Sequence, residues 1–215
     1  ISREAFSGCT SLTSINIPDF VRKIEDGTFS GCTKLRTVNG SYYIESIGES
    51  AFSGCSSLTS FKFGAVEYIG QGAFSGCSSL TSITIPDSVT SISAYAFRYC
   101  SNLTSVNIPD SVTTIGEGVF QECSGLTNMV IPDSVTMIGY GTFAHCTALT
   151  DVVISNSVET IDEDAFIKCE ALTSIGIPNS VTKIGKSAFY GCSGLTSVTV
   201  PEGTTEIADS VFGGC

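Results

Sequence analysis

Apolar residues recur along this chain at a spacing far longer than a helical turn or a strand pleat. Phenylalanine stands at 6, 29, 52, 74, 97, 120, 143, 166, 189 and 212, with a cysteine three places after each. Leucine follows three residues after the cysteine, from Leu12 to Leu195. Two alternating apolar positions come next, as at Ile83 and Ile85, then Pro-Asp-Ser or a relative, then a pair such as Val112 and Ile115. The period is 23 residues, shortened once to 22 between Cys55 and Cys77. A fixed period of this length marks stacked structural units. Within one unit, Leu-x-x-Ile-x-Ile alternates as a strand does. Pro-Asp-Ser predicts a turn, with proline setting the first angle and Asp or Ser bonding nearby backbone. Val-Thr-x-Ile is a second short extended piece, and Gly-x-x-Ala-Phe-x-x-Cys suits a tight helical turn.

One unit cannot fold alone. It offers about eight buried side chains worth roughly 1.5–3 kcal/mol for each large one. Ordering its 23 residues costs on the order of 35 kcal/mol at about 1.5 each. Neighbouring copies must supply the missing burial and hydrogen bonds, so residues 1–215 are expected to form one solenoid domain of about nine rungs. The pattern is irregular at 33–76, where Val38-Asn39-Gly40-Ser41 lacks the proline and Phe63-Gly64-Ala65-Val66 is one residue short. Local bends are expected there. Because the chain opens and closes in mid-repeat with no polar capping unit, it is expected to be a piece of a longer protein, or else to associate through its raw ends.

Composition narrows the functions. Charged residues make up 14% and the net charge is −11, which argues against nucleic acid or an anionic membrane as partner. No apolar run is long enough to span a bilayer. Ten cysteines in constant phase with one histidine, His145, and no Cys-x-x-Cys describe a column of buried thiols rather than disulfide pairs or zinc ligands. Asp19, Asp87, Asp110 and Asp133 recur at the turn, but Asn156 and Asn179 continue the same file, so calcium is not needed to explain them. Neither a metal nor another cofactor is expected. Catalysis has no foothold, because every Ser and Thr recurs by phase and His145 beside Cys146 is not a dyad. The pattern Asn-x-Ser/Thr occurs at Asn39 and Asn102, an acceptor for glycosylation only in a eukaryotic source.

The unit Ile-Pro-Asp-Ser-Val-Thr-x-Ile-Gly-x-x-Ala-Phe-x-x-Cys-Ser-x-Leu-Thr-Ser-Val resembles the BspA-like, or Treponema pallidum-type, leucine-rich repeats, across the whole chain. The resemblance implies a curved, elongated, right-handed leucine-rich-repeat solenoid, formally α/β but mostly parallel β with short helical turns, its strands lining a concave face. It also implies a secreted or cell-surface setting and adhesion to host, matrix or microbial macromolecules, without a shared catalytic residue.

Two surfaces are candidates for binding. On the expected concave face, outward residues form one file through Asn128 and Asp151 and a second through Val130 and Val153, a small apolar interruption in a hydroxyl-rich carpet. Along the helical-turn edge, the pair between Phe and Cys is Ser-Gly in the first four units and then varies: Arg98-Tyr99, Gln121-Glu122, Ala144-His145, Ile167-Lys168 and Tyr190-Gly191. Tyr95 and Tyr140 lie close by in the preceding loop. Neutral drift on a tolerant surface explains such variation as well as a partner site does. The chain therefore reads as a non-catalytic interaction module binding a protein or glycan on a host or neighbouring cell, most simply as a monomer. The rival readings are a structural spacer presenting another domain and an accessory module of a surface enzyme.

Overall fold

The structure, a computed structural model, describes residues 1–215 apart from the side chain of Ser41. Two files of short parallel strands run along the molecule. Three-residue strands come from Leu-x-x-Ile-x-Ile, beginning with Ser14–Asn16 and Thr37–Asn39 and ending with Ser197–Thr199. Their outer residues are exposed and the middle one points inward. Two-residue strands from Val-Thr-x-Ile make the second file, from Lys23–Ile24 to Glu206–Ile207. Registers are in phase: Ser82 pairs Ser105 and Ile92 pairs Ile115, so like residues lie on like.

The Phe–Cys segment is not helical, contrary to the expectation of short helical turns. The only 3-10 helix among the described residues, Ser41–Tyr43, lies elsewhere. Instead, hydrogen bonds such as Cys100 N–H to Phe97 O (3.2 Å) close single turns. Alternate amides reach the next rung, as Phe120 N–H does to Thr142 O (2.9 Å). Two residues per rung adopt positive φ, one two places before Phe and one immediately before Cys. These left-handed residues turn alternate amides toward the neighbouring rung and break any helix.

Repetition makes the core a set of columns. The ten phenylalanines form nine stacked contacts with ring centroids 5.2–5.8 Å apart and interplanar angles of 3–15°, an offset stacking geometry. Eight cysteines are buried, Cys9 and Cys215 are exposed, and all ten are free. Each thiol from Cys32 onward donates to the carbonyl of the previous rung's phenylalanine at 3.1–3.3 Å. The column is thus a file of sulfur donors, each adding a second hydrogen bond to a phenylalanine carbonyl that already accepts its own rung's cysteine N–H, and burial pushes the Cys55, Cys100 and Cys192 thiols up to about 12.

At the turn, serine rather than aspartate makes the bond. Ser88, Ser111, Ser134 and Ser180 donate to the valine carbonyl of the previous rung at 2.6–2.8 Å. Asp87, Asp110 and Asp133 are exposed and take no part in that bond, which corrects the local role expected of them.

Both strand files are interrupted. Residues 60–62 form no strand, and their neighbours 37–39 pair only with 14–16. Phe61 and Phe63 occupy the two apolar positions of this rung, and their rings pack edge-on against Phe74 (5.1 and 5.7 Å). Rings wider than the aliphatic side chains of other rungs, on a rung one residue short, push its backbone out of register. A second gap, where neither file pairs, lies between Ser105–Asn107 and Asn128–Val130 and between Thr114–Ile115 and Met137–Ile138, and the three-residue file breaks again between Asp151–Val153 and Ser174–Gly176. The turn ladder crosses that gap unbroken.

Candidate functional site

The variable edge is built on left-handed backbone. At the position before Cys, φ lies between +56° and +74° on all ten rungs. Glycine, which adopts this conformation freely, fills it at Gly8, Gly31, Gly54, Gly76, Gly191 and Gly214. The four consecutive rungs between carry Tyr99, Glu122, His145 and Lys168 instead, each at a strain of about 1–2 kcal/mol. Two of these side chains lie over the next unit or a neighbouring residue. Lys168 covers Gly191, where an added Cβ would lie 3.2 Å from Lys168 Cγ. Tyr99 stacks with Arg98, whose guanidinium carbon sits 4.5 Å from the Tyr99 ring centre and 5.4 Å from that of Tyr95. Arg98 also donates to the Tyr99 hydroxyl at 2.9 Å.

Aromatic rings elsewhere on the edge use glycines as seats. A Cβ added to Gly118 would lie 2.5 Å from the Tyr95 ring, and one at Gly213 would lie 2.8 Å from that of Tyr190. Tyr140 is exposed, and its phenol is pushed up by Asp164, with burial, Glu163, Tyr95 and Glu117 adding to the effect. Burial foremost, then Glu163, pushes the Asp164 carboxyl up. The structure thus gathers Tyr95, Arg98 and Tyr99 into one stacked group, and places Tyr140 among carboxylates. Gln121, Glu122 and His145 are half-buried on the same edge, and Tyr190 stands further along it.

The Cys146 thiol donates to Phe120 O at 3.2 Å, inward along the column and not to the neighbouring His145.

The strand face presents the other predicted group. Val130 and Val153 are 59% and 52% exposed and lie in register with one another, as do Asn128 and Asp151. This is an apolar pair beside a polar pair, on a face separate from the edge.

A third feature escaped the sequence reading. Where 37–39 and 60–62 fail to pair, a cleft of about 370 Å³ opens, lined by Thr37, Asn39, Gly40, Tyr42, Ser60 and Lys62 among others. Tyr42 is 66% exposed, Phe20 stands out at 82%, and Tyr43 and Tyr68 are also exposed. Arg22 lies 5.0 Å from the Tyr43 ring centre and, with Glu45 at 3.8 Å, ties these rungs together. Two glycines make the departure possible. A Cβ at Gly40 would collide with Ile17 O, and one at Gly64 with Tyr42 O. The signal was present in the sequence: aromatics concentrate at 20, 42, 43, 61 and 63 beside the missing proline.

Parallel in-phase rungs with an inward Leu-x-x-Ile-x-Ile strand define a leucine-rich-repeat solenoid. The family described as BspA type leucine rich repeat region matches in six copies across residues 1–127 and 90–215. The chain belongs to that family. Among solved structures, a leucine-rich repeat protein of Treponema pallidum is 26% identical over 92% of this chain and 71% of its own, with a TM-score of 0.54. One from Eubacterium ventriosum shares the fold at 21% identity, covering 98% and 78% of the two chains, with a TM-score of 0.56. A leucine rich cell surface protein of Faecalibacterium prausnitzii is 28% identical over 95% and 77%, with a TM-score of 0.46. No curated protein matches the chain significantly.

Proposed function

We propose that this chain is a non-catalytic interaction module of a surface protein, gripping a macromolecular partner through the edge that runs from Tyr95 to Lys168. One observation carries the reading: four successive rungs place Tyr99, Glu122, His145 and Lys168 in a left-handed conformation that glycine fills on the six other rungs. Strained backbone concentrates where a side chain has work beyond stability. Tyr and Arg, which dominate binding energy at interfaces, are the residues stacked at one end of this run. Membership of a leucine-rich-repeat family supports the interaction reading. The exposed valine pair on the strand face favours a second contact there, since repeat solenoids offer their strand faces to partners.

The test is attachment of the fluorescently labelled chain to epithelial cells and to immobilised matrix proteins. The edge reading expects attachment by the native chain and at least a tenfold loss when Tyr99, Glu122, His145 and Lys168 are all changed to glycine, with the circular dichroism unchanged. Attachment that survives those changes moves the contact to the strand face. No attachment at all favours the spacer.

A further inference from the structure

We propose that the cleft between residues 37–39 and 60–62 is a saccharide-binding site, in which one sugar ring stacks on Tyr42. This goes beyond the edge reading and does not depend on it.

The cleft is a specified feature of the fold. It exists because a rung lacks its strand, and the backbone around it closes only with glycine at 40 and 64, each pressed against a carbonyl of the preceding rung. At about 370 Å³ it lies within the roughly 300–1,000 Å³ range of small-molecule sites.

Its lining selects the ligand class. Tyr42 presents an aromatic ring that is 66% exposed, on the 3-10 turn Ser41–Tyr43. Around it stand the Thr37 and Ser60 hydroxyls, the Asn39 amide and the Lys62 ammonium, and no carboxylate lines the cleft. Asn39 Nδ2 donates to Asn16 Oδ1 at 3.0 Å, which fixes the amide and leaves Oδ1 and the second N–H as acceptor and donor. A pyranose has the complementary make-up: a C–H face that lies flat on an aromatic ring, and a rim of hydroxyls that both donate and accept. A lipid chain would meet too many polar groups here.

Charge agrees. Six basic and six acidic residues fall within 1–62, so the whole charge of −11 resides beyond, on four basic against fifteen acidic residues. The cleft is therefore on a stretch whose charges balance, which does not repel an anionic surface glycan.

The experiment applies the labelled 215-residue chain to an array of immobilised oligosaccharides, neutral and carboxylate-bearing. The proposal expects a defined subset to retain the chain, retention to fall at least tenfold in Tyr42→Ala, and recovery in Tyr42→Phe, which keeps the ring. Variants Tyr140→Ala and His145→Gly should retain as the native chain does. No retained saccharide, or retention indifferent to Tyr42→Ala, overturns the proposal. Retention lost instead in the Tyr140 or His145 variants also overturns it and relocates the sugar to the edge.

Discussion

Replacing Glu122, His145 and Lys168 together by glycine should make the protein more stable while abolishing whatever the edge binds. At these positions φ is +63°, +60° and +56°, and relieving a non-glycine residue there returns about 1–2 kcal/mol each. Glycine gives back roughly 0.5–1 kcal/mol of that through the greater freedom of the unfolded chain. The balance is about 0–1.5 kcal/mol of stabilisation per site, or roughly 2 kcal/mol for three taken at mid-range. Lys168 is the least favourable of the three, since its stem lies on Gly191 and its loss exposes that backbone. Tyr99 is left in place because its stacking and hydrogen bond with Arg98 offset part of its strain by about 0.5–1 kcal/mol. For a chain of this size 1 kcal/mol moves the melting midpoint by about 2–4 °C, so a rise of several degrees is expected by calorimetry. A fall in the midpoint would show that these side chains hold the rungs together, and the strain would then need no partner to account for it.

The cleft and the columns give three sharper tests. Gly64→Ala sets a methyl group against Tyr42 O, a backbone atom that cannot swing aside, and should cost about 1–3 kcal/mol or more in urea denaturation; an unchanged midpoint would mean that the irregular rung is slack. Iodoacetamide at pH 8 should label Cys9 and Cys215 in the folded protein and the eight buried thiols only after unfolding, because burial holds them protonated; mass spectrometry showing a third labelled thiol in native conditions refutes the closed column. The Asp164 carboxyl is pushed above its usual value, so its ionisation subtracts stability at neutral pH, and the loss vanishes as pH falls below the unfolded value of about 3.9. Asp164→Asn, which tolerates the same positive φ, should therefore stabilise the fold at pH 7 by about a few tenths of a kcal/mol after screening, a rise of about 1 °C in the melting midpoint, with the difference from the native chain closing near pH 3; a lower midpoint at pH 7 would contradict it.

Periodicity made the solenoid legible because every unit answers the same question in the same way. Phe, Cys and Leu at constant phase can only be stacked columns, and the inward residue of each three-residue strand follows from alternation alone. The turn chemistry was less legible. Pro-Asp-Ser announces a turn, but whether Asp or Ser serves the backbone depends on which one faces the previous rung. That valine carbonyl is 22 residues away in the chain. The Phe–Cys segment deceived for a related reason. Its small residues look helical locally, yet its amides are claimed by the next rung, and two left-handed residues per turn are what allow them to reach it.

The edge and the cleft show opposite limits of reading by phase. At the edge, Tyr99, Glu122, His145 and Lys168 are visible in sequence only as variation, which drift explains equally well. The backbone beneath them adds what the sequence does not show: φ near +60° carries an energetic cost that an ordinary surface position does not, a cost also borne by Glu4, Ser50, Tyr95, Asp164, Ser187 and Ser210 at the other left-handed position. At the cleft, the repeat pattern hid the feature by marking it as a defect. A missing proline, a deleted residue and two phenylalanines at 61 and 63 look like decay when each is judged against the consensus. They act together: the rings push the strand out, the deletion removes its slack, and Gly40 and Gly64 let the chain close over the gap. In a solenoid, a rung is held by its neighbours, so a departure persists only when the adjoining rungs accommodate it. Gly40 and Gly64, set against the preceding rung's carbonyls at Ile17 and Tyr42, are that accommodation.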